Sequence, residues 1–170
     1  MTQPVPVGSA GYNIVLEWLY REAALLDNMD FTAWLDLMAP EIVYEMPTRQ
    51  SVYQKDGEGY DPDFGFFAES HSSLETRVKR LQTDQAWAEQ PGSRTRHLVS
   101  NLLVDRLADG SFLAATSFLV TRIRSDLPYD FFTGQRRDVL RPEGDGLLLA
   151  KRTILIDQTV LKSYNLSIFF

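Results

Sequence analysis

The stretch "RTRHLVSNLLVDRLADGSFLAATSFLVTRIR", Arg94 to Arg124, decides the fold. At its centre, Asp109-Gly110 is a strong hairpin signal, because a two-residue primed turn needs positive φ that Asp and Gly tolerate. Arg94 to Leu107 reads as one long strand and Ser111 to Arg124 as the next. Asp130 to Arg141 follows as a third, and "EGDG", Glu143 to Gly146, makes another turn. Leu147 to Gln158 is a fourth strand. The closing "NLSIFF", Asn165 to Phe170, extends that strand or adds a fifth.

Upstream the period changes from strand to helix. From Tyr12, residues Val15, Trp18, Leu19, Leu25 and Leu26 fall near one stripe, with Glu17 and Arg21 off it. Asp27-Asn28 breaks the run. Asp30 offers an N-cap for a second short helix carrying Phe31, Trp34, Leu35 and Met38, which Pro40 stops. Ile42 to Met46 is strand-like, and Pro47 ends or edges it. Residues 48–69, with "QKDGEGYDPDFG", read as a long polar loop. Ser72 and Glu75 have capping-box spacing and open a helix with Leu74, Val78 and Leu81 on one face. Residues 83–93 are a connector.

Helices first and long antiparallel strands last make this an α+β chain, a curved antiparallel sheet wrapped around N-terminal helices. With 170 residues, the chain has the size of one domain and needs no staple to hold a core. Residues 1–11 read as a flexible arm and residues 12–170 as a single domain.

Composition removes several function classes. The formal charge is −6, without the basic footprint of a nucleic-acid binder and unsuited to anionic membranes. No apolar run approaches the roughly 20 residues of a membrane helix. "MTQPVPVGSAG" lacks the basic and apolar regions of a signal peptide. There is no Cys, hence no disulfide, thiol nucleophile or Cys-held cluster within the chain; a reducing cytoplasm fits.

The chemical inventory is short. His71 and Glu75 are four residues apart on a helix; with His97 they make the ligand set of a non-haem iron site. On such loose spacing, two histidines in structural roles is the favoured reading. No GxSxG elbow, GxGxxG or Walker-type loop occurs. Acid–base chemistry in an apolar pocket would fall to Asp30, Tyr44, Asp138 or Asp157. Acids in strands are more often ion pairs.

Arginines are the other feature. Arg94, Arg96 and His97 follow Trp87; Arg136, Arg137 and Arg141 line the third strand; Lys151 and Arg152 lie on the fourth. Arg94 and Arg96 point one way, and Arg137 and Arg141 share a side. Two readings stand, a polar protein–protein interface and a solvated sheet face of weak cross-strand pairs.

Three stretches carry a family resemblance. They are "WLYREAALLDNMDFTAWLDLMAPEIVYEMPTR" (Trp18 to Arg49), "AWAEQPGSRTRHLVSN" (Ala86 to Asn101), and "GQRRDVLR" (Gly134 to Arg141) with "AKRTILIDQTVLKSYNLSIFF" (Ala150 to Phe170). In this order they resemble the small (beta) subunit of the aromatic-ring-hydroxylating dioxygenases, in form most like the biphenyl, benzene and polycyclic-aromatic branch. The resemblance implies a cone-shaped fold of the nuclear-transport-factor-2 and ketosteroid-isomerase type. It implies assembly with a large alpha subunit, commonly as an alpha-three beta-three hexamer with beta–beta contacts. That alpha subunit holds a Rieske [2Fe–2S] cluster and a mononuclear iron, and electrons from NAD(P)H arrive through a reductase and ferredoxin. The complex would add both atoms of O₂ to an aromatic ring as a cis-dihydrodiol.

A Rieske centre needs two Cys and two His, so the resemblance places no catalytic, metal or cofactor residue in this chain. Trp87, Arg94, Arg96, His97 and Asn101 belong to the family signature and are read as packing and subunit-interface residues, with Arg137. In the tail, Leu166, Ile168 and Phe170 would face one way and Ser167 and Phe169 the other. Apolar residues on both sides mean a tail covered on both sides. The runner-up function is a stand-alone pocket enzyme of the same fold, an isomerase, dehydratase or cyclase on a small apolar substrate.

Overall fold

The computed structural model describes residues 2–170 except 54, 56, 84–91, 126–127, 162 and 164–165, and the side chain of Pro62. The hairpin forms as its turn dictates. Strands β4 (Arg94–Arg106) and β5 (Phe112–Ile123) pair antiparallel about Gly110, whose φ is +88°. β6 (Asp130–Glu143) and β7 (Gly146–Ile156) continue the meander.

Seven strands share one sheet in the order β1-β4-β5-β6-β7-β2-β3. β1 is Gln3–Pro4, β2 is Met38–Arg49 and β3 is Tyr60–Glu69. The arm before Tyr12 lies along the sheet edge: Gln3 and Pro4 pair with Arg106 and Asp105, and the Val5 N–H donates to Val104 O at 2.8 Å. The pairings are antiparallel except one, β2 with β7, which is parallel. The chain enters β2 from the helices beneath the sheet, so its direction is set by them and not by a hairpin.

Two features bend the sheet. Between Ser100↔Ser117 and Leu103↔Ala115 the ladder carries an extra residue, and Asn101 there has φ +54°. Asn tolerates this left-handed conformation better than most residues, and a bulge of this kind kinks its strand. The bulge also moves Leu102 and Val104 to the inner face and leaves Leu103 outside. At Gly134 a Cβ would lie 2.3 Å from Leu155 O, so only Gly allows that approach of β6 to β7.

The concave face wraps three helices, α1 (Ala10–Asp27), α2 (Phe31–Leu35) and α3 (His71–Leu81). This is the cone-shaped α+β architecture. On α1, Val15, Trp18, Leu19 and Leu26 are buried, as the stripe predicts. Asp30 caps α2 by accepting from the Ala33 N–H at 3.3 Å.

Four expectations are corrected. The second helix ends at Leu35, so Met38 and Pro40, expected to lie in it and to stop it, belong to β2 instead. Residues 60–69 are a strand, not loop: Phe67 stacks on Tyr44 at 5.7 Å, and packing overrides a sequence full of Asp, Pro and Gly. The capping box is Ser70 with Ser73, two residues earlier than Ser72 with Glu75; Glu75 pairs instead with Lys79 at 2.7 Å. The tail 166–170 is not a strand. It turns into the cone, where Ile168, Phe169 and Phe170 are buried.

Candidate functional site

In folds of this shape the cone interior is where a ligand would sit, so its lining decides the chemistry. The inner face of β6 alternates Phe132, Gly134, Arg136, Asp138 and Leu140. Asp138 stands opposite Arg152 of β7, and Arg152 opposite Tyr44 of β2. Glu22 reaches this row from α1. All four side chains are fully buried, and Arg136 nearly so.

Arg152 organises the centre. Its Nε donates to Asp138 Oδ1 at 2.8 Å and its Nη2 to Asp138 Oδ2 at 2.7 Å. Nη2 also donates to Glu22 Oε2 at 3.0 Å, and Nη1 donates to Glu22 Oε1. Nη1 donates further to Phe170 O at 2.6 Å. Trp34 Nε1 donates to Glu22 Oε1 at 3.2 Å, and Arg136 Nη1 to Glu22 Oε2 at 3.4 Å. Tyr44 donates to Phe170 O at 2.9 Å and accepts the Phe170 N–H at 2.8 Å.

The electrostatics follow from burial against pairing. Burial pushes the Glu22 carboxyl up, but Arg152 and Arg136 outweigh it and hold Glu22 below its ordinary value. Burial alone would weaken Arg152 as a base; Asp138 and Glu22 reverse this and hold it well above its ordinary value. Arg136 is lowered, first by burial and then by the charge of Arg152. Burial raises Tyr44, so its hydroxyl stays protonated and can donate. Two carboxylates facing two guanidiniums form a charge-balanced brace, in which Arg152 is fully engaged while Arg136 Nε and Nη2 are buried without a hydrogen-bond partner among the described residues.

A second cluster holds the same tail. His97, its side chain 3% exposed, sits between two acceptors: Nδ1 is 2.6 Å from Asp27 Oδ1 and Nε2 is 3.0 Å from Phe169 O. Asp27 also accepts the His97 backbone N–H at 3.1 Å and the Thr95 hydroxyl at 3.3 Å. Partial burial raises the Asp27 carboxyl, yet the hydrogen bonds and charge of His97 and the charge of Arg96 leave it lowered. From α3, Arg77 donates to Ile168 O at 2.9 Å and to Leu166 O at 3.1 Å, and its guanidinium lies 4.4 Å from the Phe169 ring centroid. The tail is thus clasped from α3, β2, β4 and β7. Phe169 packs at 4.2 Å on Trp34 and Phe170 at 5.3 Å on Phe132.

The residues expected from the sequence separate into inner and outer sets. Tyr44 and Asp138 meet in the interior; Asp30 caps a helix, and Asp157 is exposed beside Arg49 at 4.0 Å. His71, Glu75 and His97 are not brought together, and among the described residues no three His, Asp or Glu form a metal-holding group. Arg94, Arg96 and Arg137 point outward, while Arg136 and Arg152 of the same cluster point in. Arg137 pairs with Glu58 at 2.6 Å. Asn101 makes the bulge. Trp87 lies outside the described residues. Sequence reasoning missed Glu22, Asp27 and Arg77. Glu22 carried a signal: it continues the stripe Val15-Trp18-Leu19 at helical spacing, an acid where an apolar residue belongs.

Depressions of about 340, 300 and 240 Å³ lie beside Phe132 and Leu161, beside Trp18 and Leu147, and beside Leu19 and Leu102, none of them lined by Tyr44, Asp138 or Arg152. The cavity at the cone mouth, lined by Leu26, Phe31, Thr95, His97, Ile168 and Phe169 among others, measures about 70 Å³. Small-molecule pockets usually span roughly 300–1,000 Å³. The Asp27–His97 pair borders this cavity, but both ring nitrogens are already engaged.

A family described as ring hydroxylating beta subunit matches residues 21–163. The chain is 37% identical over 175 residues to the biphenyl 2,3-dioxygenase subunit beta of Rhodococcus jostii (strain RHA1), covering 99% of this chain and 94% of that one. It is 35% identical over 176 residues to a benzene 1,2-dioxygenase subunit beta of Pseudomonas putida, covering 100% and 94%. In fold it is similar to a solved naphthalene 1,2-dioxygenase with indole bound in the active site, with TM-score 0.82, 22% identity and coverage of 96% and 89%. It is also similar to the beta subunit of the benzoate 1,2-dioxygenase of Burkholderia mallei, with TM-score 0.71, 21% identity and coverage of 90% and 93%.

Proposed function

The chain belongs to the ring hydroxylating beta subunit family, and from that premise we propose that it is the small, non-catalytic subunit of a terminal oxygenase that cis-dihydroxylates aromatic hydrocarbons. The observation that carries the scaffold role is the filled cone. Where a pocket enzyme of this shape keeps an open chamber, Arg152, Glu22, Asp138 and Tyr44 lock together over Phe170.

The donor set of this chain does not fit a Rieske cluster or a mononuclear iron: it has no Cys, and its two His are apart. Those groups belong to a larger alpha subunit, with which the chain assembles in the cytoplasm as an alpha-three beta-three hexamer. A reductase and ferredoxin deliver NAD(P)H electrons to that complex; neither nucleic acid nor membrane is a partner. This chain contributes a rigid body. Its brace and clasps hold the sheet's curvature, and the outward Arg94, Arg96 and Arg137 present contacts to neighbouring subunits. His97, Leu166, Ile168, Phe169 and Phe170 act from within, by fixing the tail.

Native mass spectrometry with metal analysis on the tagged chain from its own cells tests this. A larger iron-containing chain should co-purify in one-to-one ratio. A chain that is metal-free and bound only to itself would refute the proposal and return attention to the stand-alone enzyme.

A further inference from the structure

Phe170 sits in the cone as a bound ligand would. Its N–H donates to the Tyr44 hydroxyl at 2.8 Å, and that hydroxyl donates to Phe170 O at 2.9 Å. Arg152 Nη1 donates to the same oxygen at 2.6 Å. The ring meets Phe132 edge-on, with centroids 5.3 Å apart, and lies 5.9 Å from Phe118. One phenylalanine is thus held at three points: its N–H, its carbonyl oxygen and its ring. The four side chains that hold it are all buried.

These side chains have partners of their own. Arg152 is fixed by Asp138 at 2.8 and 2.7 Å and by Glu22 at 3.0 Å. Tyr44 stacks on Phe67 at 5.7 Å and meets Trp34 edge-on at 6.2 Å. Phe118 and Phe132 are set by the β5–β6 ladder, opposite Gly134 and Val120. Their positions therefore do not depend on Phe170. Apolar walls with a few fixed polar groups make a small-molecule site, and fixing them beforehand lowers the cost of binding.

We propose that the cone interior is a recognition site for an N-acylated phenylalanine, filled in this chain by Phe170 and able to take the same unit from solution once Phe170 is removed. Tyr44 reads the amide N–H and the oxygen together, and Arg152 adds a charge-assisted bond to that oxygen. Holding ring, N–H and oxygen at once selects one enantiomer. The site lies within this chain, so the proposal stands or falls independently of the oxygenase reading.

Ligand-dependent melting tests it, on the chain lacking only Phe170 and with N-acetyl-L-phenylalanine as the probe. At about a hundredfold excess over its dissociation constant, the probe should raise Tm by roughly 5–10 °C. A shortened chain that is unfolded alone should regain its near-UV circular dichroism when the probe is added. The wild type, its site filled, should not respond. N-acetyl-D-phenylalanine and the ringless N-acetyl-L-alanine should leave the shortened chain unchanged. Adding Tyr44→Phe should weaken probe binding by about tenfold. Phe170→Ala keeps the backbone bonds and vacates only the ring position, so toluene should raise its Tm and not that of the wild type. No response of the shortened chain to the probe would overturn the proposal. So would equal responses in the wild type or to the D-enantiomer, and so would a Phe170→Ala chain indifferent to toluene.

Discussion

Replacing Arg152 with Met removes the hub of the brace while keeping much of its volume. Asp138 loses the bidentate donor that holds it, and Glu22 keeps only Arg136 and Trp34. Breaking a buried pair by removing one partner costs about 3–5 kcal/mol. For a chain of this size each kcal/mol shifts Tm by about 2–4 °C, so a fall of roughly 6–20 °C is expected at neutral pH. The pH profile makes the test sharper. In the wild type the folded pKa of Glu22 is lowered from 4.5. Its contribution is therefore full above that value and is lost as pH falls through the folded pKa. In Arg152→Met, burial dominates and raises the folded pKa of Glu22. The penalty is then present at neutral pH and relieved as the solution is acidified. Calorimetric Tm should thus rise for the variant, and stay level for the wild type, as pH is lowered from about 7.5 to about 5. Equal melting temperatures with parallel pH profiles would refute the reasoning.

Deleting Ile168 to Phe170 removes three buried side chains worth about 1.5–3 kcal/mol each, along with the partners of Tyr44 and Arg152; circular dichroism should show a chain unfolded or melting far below the wild type. Asp27→Asn leaves the donors of His97 poorly matched and should cost about 1–3 kcal/mol in urea titrations. Because the Asp27 pKa is lowered from 3.8, the wild type loses this contribution only below that pH, and the variant's acid-induced loss should be the shallower. Asn101→Val forces a β-branched residue into φ +54° and should cost about 1–2 kcal/mol. Asn101→Gly should move the urea midpoint little.

Much of the fold was legible because it is local. The Asp109-Gly110 turn, the four long strands and the α1 stripe are short-range patterns, and the structure sets their ends within a few residues of those expected. β3 was hidden because "YDPDFGFFAE" carries turn residues in a strand that packing with Tyr44 stabilises. The "ESHSSLE" serines offer two equally spaced capping pairs, and only the backbone chooses Ser70 with Ser73. The site was harder to read. Arg136 and Arg137 are neighbours in sequence and opposite in fate, because strand alternation says that they differ without saying which one is inside. Glu22 and Arg152 are 130 residues apart, and no pattern in the chain links them. The tail's two-sided apolar character did predict burial, although through a clasped turn into the cone and not a strand.

The most direct test of the scaffold account is turnover per iron in the assembled oxygenase, with the interior of this chain altered. Glu22→Gln, Asp27→Asn and His97→Gln should lower the melting temperature and the yield of complex, while the complex that forms turns over at the wild-type rate per iron. A complex assembled in full yet losing turnover by orders of magnitude would place a reacting group inside this cone and contradict the account.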